Sequence, residues 1–178
     1  MIHKKVLVVG GILILLLFIR FFLESLVQKK EGVSSQNTQI ISGSFDKTKL
    51  KSDEEWKKVL TLEQYHILRE QGTEAPFTGK LLHTTEKGTY VSVGCNEPVF
   101  RSEAKYDSKT GWPSFSKPIS PDAVVLKKDS SIPGEERIEV LDTCGGHLGH
   151  VFNDGPPPTG KRYCMNSLAL RFVPDKKE

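Results

Sequence analysis

The 178-residue sequence lacks the phosphate-binding patterns of nucleotide-dependent enzymes, because neither G-x-G-x-x-G nor P-loop spacing occurs in it. No internal repeat and no C-x-x-C pair is present, which disfavours a thiol–disulfide exchange protein of the thioredoxin kind. Cysteine itself is scarce, since Cys95, Cys144 and Cys164 are the only three. In an oxidising compartment this odd count favours one disulfide and one free thiol.

A general excess of basic charge is also missing. Five of the 25 Lys and Arg residues and one of the 22 Asp and Glu residues lie in the first thirty positions, which leaves 20 basic and 21 acidic residues in the remainder. We therefore predict no nucleic-acid partner for the main part of the chain. The basic N-terminal residues are better interpreted as the flanks of a membrane segment.

An apolar run covers residues 6–19 without interruption, and it reaches residue 23 if Arg20 is tolerated near its end. Eighteen helical residues span roughly 27 Å, which is just enough to cross the hydrocarbon core of a bilayer. Lys4 and Lys5 precede the run, as in a signal peptide or a signal anchor. A buried core helix is disfavoured because the run is apolar on all faces.

Composition divides the chain into three segments. We predict a transmembrane signal anchor over residues 1–28, which contacts the membrane through residues 6–23, a polar linker over residues 29–50, and one domain over residues 51–178. The domain is then extracytoplasmic, either periplasmic or external. No A-x-A-like cleavage site follows the apolar run, so an uncleaved anchor is favoured, and a cleaved, secreted form is the alternative.

Two short helices are predicted at the start of the domain. Ser52 and Glu55 have the spacing of a capping box, and Thr61 and Gln64 repeat it, each followed by apolar residues at helical spacing. Gly72 is expected to end the second helix.

Beyond residue 76 the pattern changes to short strand-like runs between turn residues. These runs cover residues 79–85, 88–93, 98–100, 123–127, 137–141 and 168–173. No long helical pattern follows. The fold class is therefore predicted to be mainly β (α+β), an antiparallel β domain with short peripheral N-terminal helices, preceded by one transmembrane helix.

Cys164 is the first candidate catalytic residue. In a strand, Arg162, Cys164 and Asn166 point to the same side, because side chains alternate with a period of two. A neighbouring guanidinium lowers the pKa of a thiol, as a nucleophilic or redox-active cysteine requires. The alternative is a buried, inert cysteine.

His147 and His150 are the next candidates, and a glycine directly precedes each of them. An imidazole can act as an acid, a base or a metal ligand near neutral pH. Together with Cys144 and Cys95 the two histidines could form a metal site, so a metal-binding β module is the main rival interpretation. Histidines hydrogen-bonded within a turn are the third alternative.

Trp112 lies in the sequence Gly-Trp-Pro-Ser-Phe, where the proline holds it in an extended conformation. A rigid, exposed indole suits an apolar ligand such as a thioether methyl group. A core tryptophan is equally compatible with the sequence.

Taken together, these residues resemble the type-B methionine sulfoxide reductases, which reduce the R epimer at sulfur. The resemblance covers residues 52–174 in order, and its most specific part is the pattern HLGHVFxDGPxPTGxRYCxN. It implies a small antiparallel β domain with two sheets and peripheral helices.

The resemblance also implies roles for individual residues. Cys164 corresponds to the catalytic cysteine, His150 to the histidine that supplies or steers the proton, and Asn166 to an assisting amide. Trp112 corresponds to the indole that holds the substrate methyl group. The remaining pocket residues implied by the resemblance are His147, Phe152, Asp154 and Arg162.

The implied reaction leaves Cys164 as a sulfenic acid, which a thiol must then reduce. The implied partners are methionine sulfoxide in oxidised proteins and an external thioredoxin-like reductant, and the chain is expected to act as a monomer. Many members carry a resolving cysteine where this chain has Thr110. The usual intramolecular disulfide with Cys164 is therefore not available.

Many members also bind zinc through two C-x-x-C pairs, but this chain has Ser92 and Leu141 at the first position of each pair. We expect no cofactor, no metal and in particular no zinc. The surviving Cys95 and Cys144 are instead predicted to form a disulfide, which closes a loop of about 49 residues and stabilises by roughly 4 kcal/mol. The competing hypothesis is that one of them resolves the sulfenic acid on Cys164.

Overall fold

The structure is a computed structural model, and it describes residues 40–176. The predicted membrane segment, residues 6–23, lies outside the described residues, as does the first half of the predicted linker. Within residues 40–176, no helix combines the length and the apolar character that a membrane crossing needs.

Two short helices open the described domain, as the capping patterns predict. Helix α1 covers Asp53–Val59 and helix α2 covers Leu62–Glu70, and each begins with a complete capping box. The end of α2 differs slightly from the prediction. Gln71, rather than Gly72, adopts the left-handed conformation (φ 56°), and its side chain donates a hydrogen bond to Glu139 (3.0 Å).

Within the described residues, ten strands form two antiparallel sheets, and all but the first follow the helices. The seven-stranded sheet has the order β1-β6-β7-β8-β9-β5-β4, and the three-stranded sheet has the order β10-β2-β3. The strands are β1 (Ile40–Ser42), β2 (Gly88–Ser92), β3 (Pro98–Arg101), β4 (Lys105–Tyr106), β5 (Ser114–Phe115), β6 (Val125–Asp129), β7 (Arg137–Leu141), β8 (His147–Phe152), β9 (Arg162–Met165) and β10 (Leu170–Pro174). The prediction of a mainly antiparallel β domain with two sheets and two short helices is therefore confirmed.

One predicted strand is wrong. Residues 79–85 form successive turns, in which Leu82 N–H donates to the Gly79 carbonyl (3.1 Å). Lys105 Nζ also donates to the Leu82 carbonyl (2.8 Å), so this segment bonds to a side chain instead of a neighbouring strand. The run from 168 is also shorter than predicted, because residues Ser167–Ala169 form a 3-10 turn before β10 begins.

The hydrophobic core lies where side chains of both sheets meet. Tyr90 and Phe100 of the small sheet are fully buried, and so are Phe115 and Met165 of the large sheet. Phe100 stacks on Phe115 with ring centroids 4.4 Å apart. Burial of each such side chain stabilises by about 1.5–3 kcal/mol, so this contact fixes the strands that carry the candidate site. Trp56 of α1 is also fully buried, as expected for a packing residue.

Candidate active site

The strand register brings the candidate nucleophile and a candidate acid–base together. On the large sheet, Cys164 of β9 lies directly opposite His150 of β8 on one side and Ser114 of β5 on the other. Directly paired residues of antiparallel strands project to the same face. The row continues outward, since Glu139 pairs with His150 and Lys127 pairs with Glu139. One polar row therefore crosses the sheet and includes the thiol.

Strand β8 contains an irregularity that brings both histidines to this face. Its register against β7 shifts between His147 and Gly149, so that Leu141 pairs with His147. Residues three apart normally lie on opposite faces of a strand. Here the two imidazole rings lie together, with centroids 5.2 Å apart. Position 149 also requires a glycine, because a Cβ atom there would collide with the Cys164 carbonyl oxygen.

His150 is hydrogen-bonded to a carboxylate that no sequence motif predicts. Its Nε2 lies 2.8 Å from Asp129 Oδ2, and Arg137 donates to the same oxygen (2.7 Å). Burial lowers the pKa of His150, and the bond to Asp129 offsets this only in part. Burial alone would raise the pKa of Asp129, but hydrogen bonds from Ser131, His150 and Arg137 lower it overall. The pair at neutral pH is therefore an ionised Asp129 and a neutral His150, which can accept a proton.

His147 lies deeper than the resemblance implies. Its side chain is 1% exposed, and Nδ1 lies 2.8 Å from Glu139 Oε1. Burial would raise the pKa of Glu139, but His147 and Lys127 (3.1 Å) lower it overall, so the carboxylate stays ionised. His147 does not line the cavity beside Cys164 and instead packs behind His150.

Cys164 is half-buried and is the free cysteine of the described residues. Its pKa is raised by burial, although Thr110, Arg162 and Ser114 each act in the opposite direction. The expectation that Arg162 leaves the thiol with a lowered pKa is therefore wrong for the resting site. The physical reason is burial, whose effect on the pKa of Cys164 exceeds the opposing effects of its three neighbours. Arg162 itself forms two 2.9 Å bonds to Asp154.

Thr110, at the position where the resemblance implies a resolving cysteine, lies beside the Cys164 sulfur. Thr110 Oγ1 is 3.8 Å from Cys164 Sγ, and it also bonds Ser108 (2.8 Å), which in turn bonds Ser114 (2.7 Å). A short chain of hydroxyl groups therefore surrounds the thiol. These hydroxyls can donate to a thiolate or to an oxygen bound to sulfur.

A small cavity of about 170 Å³ opens beside the thiol. Trp112 and Phe152 form aromatic walls, and the Arg162 guanidinium stacks on Phe152 at 4.4 Å from its ring centroid. Trp112 is only half-buried, which favours its interpretation as a ligand-contacting residue over a core residue. The full lining consists of Thr73, Trp112, Arg137, Gly149, His150, Phe152, Cys164, Met165 and Asn166.

Asn166 lines the cavity, but both ends of its amide already bond to the backbone. Its Oδ1 accepts from Glu74 N–H (3.0 Å), and its Nδ2 donates to the Leu148 carbonyl (3.2 Å). The Glu74 carbonyl also accepts from Trp112 Nε1 (3.0 Å). Glu74 therefore positions both residues. Its carboxylate is in turn held by the backbone N–H of Ser167 (2.7 Å).

Three acidic residues that position the site, Glu74, Asp129 and Glu139, are absent from the sequence-based prediction. No spacing rule identifies them, because strand pairing and loop packing bring them to the site from distant positions. Asp129 and His150 are 21 residues apart, and Glu74 and Asn166 are 92 residues apart.

The other two cysteines lie in a separate region. Cys95 and Cys144 are joined by a disulfide with a Cα–Cα distance of 5.5 Å, which is within the usual range. The neighbouring Asp142 is buried, which raises its pKa, and it accepts bonds from Ser92 and from the Cys144 N–H.

This region does not fit a zinc ion of the kind that the resemblance implies. Its two sulfur atoms are bonded to each other, and Leu141 offers no ligand atom. In the part of the chain that the structure describes, Cys95, Asp142 and Cys144 form the group within metal-ligand distance, and neither histidine belongs to it. The rival metal site of Cys95, Cys144, His147 and His150 is thus not assembled, while the absence of zinc stays a prediction.

A free thiol that shares a small aromatic cavity with a histidine–carboxylate pair is the arrangement of a nucleophilic or redox-active cysteine. Residues 60–174 match the SelR domain. A protein of Methanosarcina barkeri named peptide methionine sulfoxide reductase MsrB is 56% identical over 128 residues, which cover 71% of this chain and 89% of that protein. The protein of the same name from Leptospira interrogans is 58% identical over 123 residues, covering 68% and 93%. The chain belongs to the SelR-domain family, and it is an oxidoreductase of the MsrB type.

Proposed function

We propose that this chain reduces the R epimer of methionine sulfoxide in oxidised proteins to methionine. The observation that carries the proposal is the alignment of Cys164 and His150 on paired strands, in a cavity walled by Trp112. The sulfoxide side chain has an apolar methyl group, a polar oxygen and an electrophilic sulfur. The site offers an indole, proton-carrying groups and a thiol to match them.

The chemistry begins with a proton transfer from Cys164 to neutral His150. The resulting thiolate attacks the sulfoxide sulfur and forms a sulfur–sulfur bond, while the protonated His150 returns the proton to the oxygen, which leaves as hydroxide. The hydroxide then adds to Cys164 Sγ, and the sulfur–sulfur bond breaks with its electron pair on the substrate sulfur. The oxygen ends on Cys164 as a sulfenic acid. The substrate sulfur gains two electrons and Cys164 loses two, so methionine leaves reduced.

Recycling is proposed to use an external thiol, since Thr110 replaces the usual resolving cysteine and Cys95 is bonded to Cys144. One thiol condenses with the sulfenic acid, releasing water and leaving a mixed disulfide on Cys164. A second thiol then reduces that disulfide. A thioredoxin-like dithiol supplies both groups.

The competing route, in which Cys95 or Cys144 resolves the sulfenic acid, first requires reduction of their disulfide. Mass spectrometry after one turnover without reductant distinguishes the routes. Persistent sulfenic acid supports the external thiol, whereas a disulfide that contains Cys164 supports the internal one.

We also propose that the domain acts as a monomer outside the cytoplasm, anchored by residues 6–23. The Cys95–Cys144 disulfide supports this location, because disulfides persist in oxidising compartments. The N-terminal sequence and the membrane fractionation of the expressed full chain test the anchor. A mature protein that begins after residue 25 and is found in the medium contradicts it and supports the cleaved alternative.

Turnover of the two epimers of a methionine sulfoxide tests the proposed reaction. We expect the full chain to reduce the R epimer with dithiothreitol as reductant, and Cys164→Ser to reduce neither epimer. Preference for the S epimer, or activity that survives in Cys164→Ser, contradicts the proposal. Stoichiometric zinc without any turnover favours the rival metal-binding module instead.

A further inference from the structure

We propose that Phe77 forms a second binding subsite beside the catalytic cavity, for an apolar side chain that neighbours the oxidised methionine in a polypeptide. The inference rests on the proposed function and deepens it. It assigns a residue that makes the enzyme prefer methionine sulfoxide within apolar sequences over the free amino acid.

The conformation of Phe77 is the first observation. Its side chain is 66% exposed, although it is large and apolar. Its backbone is left-handed, with φ 66°, which bulky residues rarely adopt. Such strain persists where the surroundings impose it, and it concentrates at ligand-binding sites.

Two hydrogen bonds hold the segment that contains Phe77 against the segment that contains Trp112. Phe77 N–H donates to the Gly111 carbonyl (2.8 Å), and Trp112 Nε1 donates to the Glu74 carbonyl (3.0 Å). A Cβ atom at Gly111 would lie 2.8 Å from Pro76 Cβ and 3.1 Å from Phe77 Cδ2. The phenyl ring is therefore packed by its edge against the residue that precedes Trp112, and the rest of it faces solvent.

The size of the cavity is the second observation. At about 170 Å³ it is smaller than the ~300–1,000 Å³ of pockets that enclose a drug-sized ligand. It suits one side chain, so the polypeptide on either side of a bound methionine sulfoxide must lie on the surface outside. Phe77 does not line the cavity but contacts Gly111, which directly precedes the cavity residue Trp112. It is thus placed to contact a neighbouring residue of the substrate.

A packing role does not explain this placement, since a ring that is mostly in solvent contributes little to the core. Leu62 is also exposed (88%), but it lies on a regular helix, away from the cavity lining. This makes Leu62 a suitable control position for the same chemical change.

The test compares Phe77→Asn with Leu62→Asn in the full chain. Asparagine tolerates the left-handed backbone, so Phe77→Asn removes the ring while keeping the local conformation. Three substrates are used: a peptide with leucine on both sides of the R sulfoxide, the same peptide with serine, and N-acetyl-methionine-R-sulfoxide methylamide. Dithiothreitol is the reductant, so that no reductant protein needs to dock.

We expect Phe77→Asn to lower kcat/KM for the leucine peptide by about 5- to 10-fold, as for loss of a partly buried apolar contact. Turnover of the serine peptide and of the capped amino acid should change by less than about twofold, and Leu62→Asn should change none of the three. The conservative Phe77→Leu should retain most of the preference for the leucine peptide.

An equal loss on all three substrates overturns the proposal, because it shows a structural role at the cavity. No loss on any substrate overturns it as well. A loss that is seen only when a thioredoxin-like protein replaces dithiothreitol also overturns it, since the surface then serves the reductant. Failure of the wild-type chain to reduce even the capped amino acid refutes the proposed function itself.

Discussion

The two cysteine regions of this domain use the same side chain for opposite purposes. Cys164 sits within a strand, where its neighbours across the sheet are His150 and Ser114 and no second thiol is near. Cys95 and Cys144 sit in turns beside strand ends, with Cα atoms 5.5 Å apart, and they are bonded to each other. The register of the sheet, and not the residue type, therefore decides which sulfur stays a free thiol.

The sharpest test of this division replaces the strand thiol. Cys164→Ser should lower kcat/KM by at least about 10³-fold, because a serine hydroxyl is a far weaker nucleophile than a thiol near neutral pH. The melting temperature should shift by only a degree or two, since the replacement is nearly isosteric in a half-buried position. A circular dichroism melt, run beside the activity assay, checks both expectations. A large loss of stability together with activity would assign Cys164 a structural role as well.

Removal of the Cys95–Cys144 disulfide should instead lower stability and leave activity nearly unchanged. Cys95→Ser combined with Cys144→Ser should lower the free energy of unfolding by about 2–4 kcal/mol in urea titrations. Below the unfolding transition, kcat/KM should stay within about twofold, because neither sulfur lines the cavity. Replacing both residues avoids a stray thiol. A loss of multiple turnover with intact single turnover would instead support a resolving role for this pair.

The sequence predicted the residues around Cys164 better than the residues that hold them in position. Cys164, His150 and Trp112 are close to motifs that can be recognised along the chain, and the structure places all three around one cavity. The bond between His150 and Asp129 could not be predicted, because it depends on the register of β6, β7 and β8. The incorrect strand at residues 79–85 has a similar origin, since its polar backbone is satisfied by turns and by Lys105.

The next prediction concerns Asp129, which is hydrogen-bonded to His150. Asp129→Asn should lower kcat/KM by about 10- to 100-fold, since it removes the charge that orients and stabilises the protonated imidazole. Asp129 raises the pKa of His150 against the effect of burial, so its loss should lower that pKa further. The acid limb of the pH–kcat/KM profile, where His150 becomes protonated, should therefore move to lower pH.

A matched control separates this effect from a general loss of charge. Asp53→Asn makes the same change at an exposed carboxylate that pairs with Arg69 (3.0 Å), and it should leave the profile unchanged. Asp129→Asn also leaves Arg137 without its carboxylate, so some loss of stability is expected. An unchanged acid limb in Asp129→Asn would show that His150 is not the titrating group.

The smallest predicted effect concerns Thr110, whose hydroxyl helps to lower the pKa of Cys164 against the larger effect of burial. Since Cys95 and Cys144 are bonded, Cys164 is the thiol that iodoacetamide can reach, and its alkylation reports directly on thiolate content. Because its pKa is raised, the alkylation rate of the wild-type chain should keep rising with pH beyond the range of an ordinary thiol. Thr110→Val should raise the pKa further and slow alkylation at neutral pH by about 2- to 5-fold, as for loss of one hydrogen bond to sulfur. Thr110→Ser keeps the hydroxyl and should react like the wild type; equal rates for all three would show that burial, Arg162 and Ser114 set the reactivity of Cys164 without Thr110.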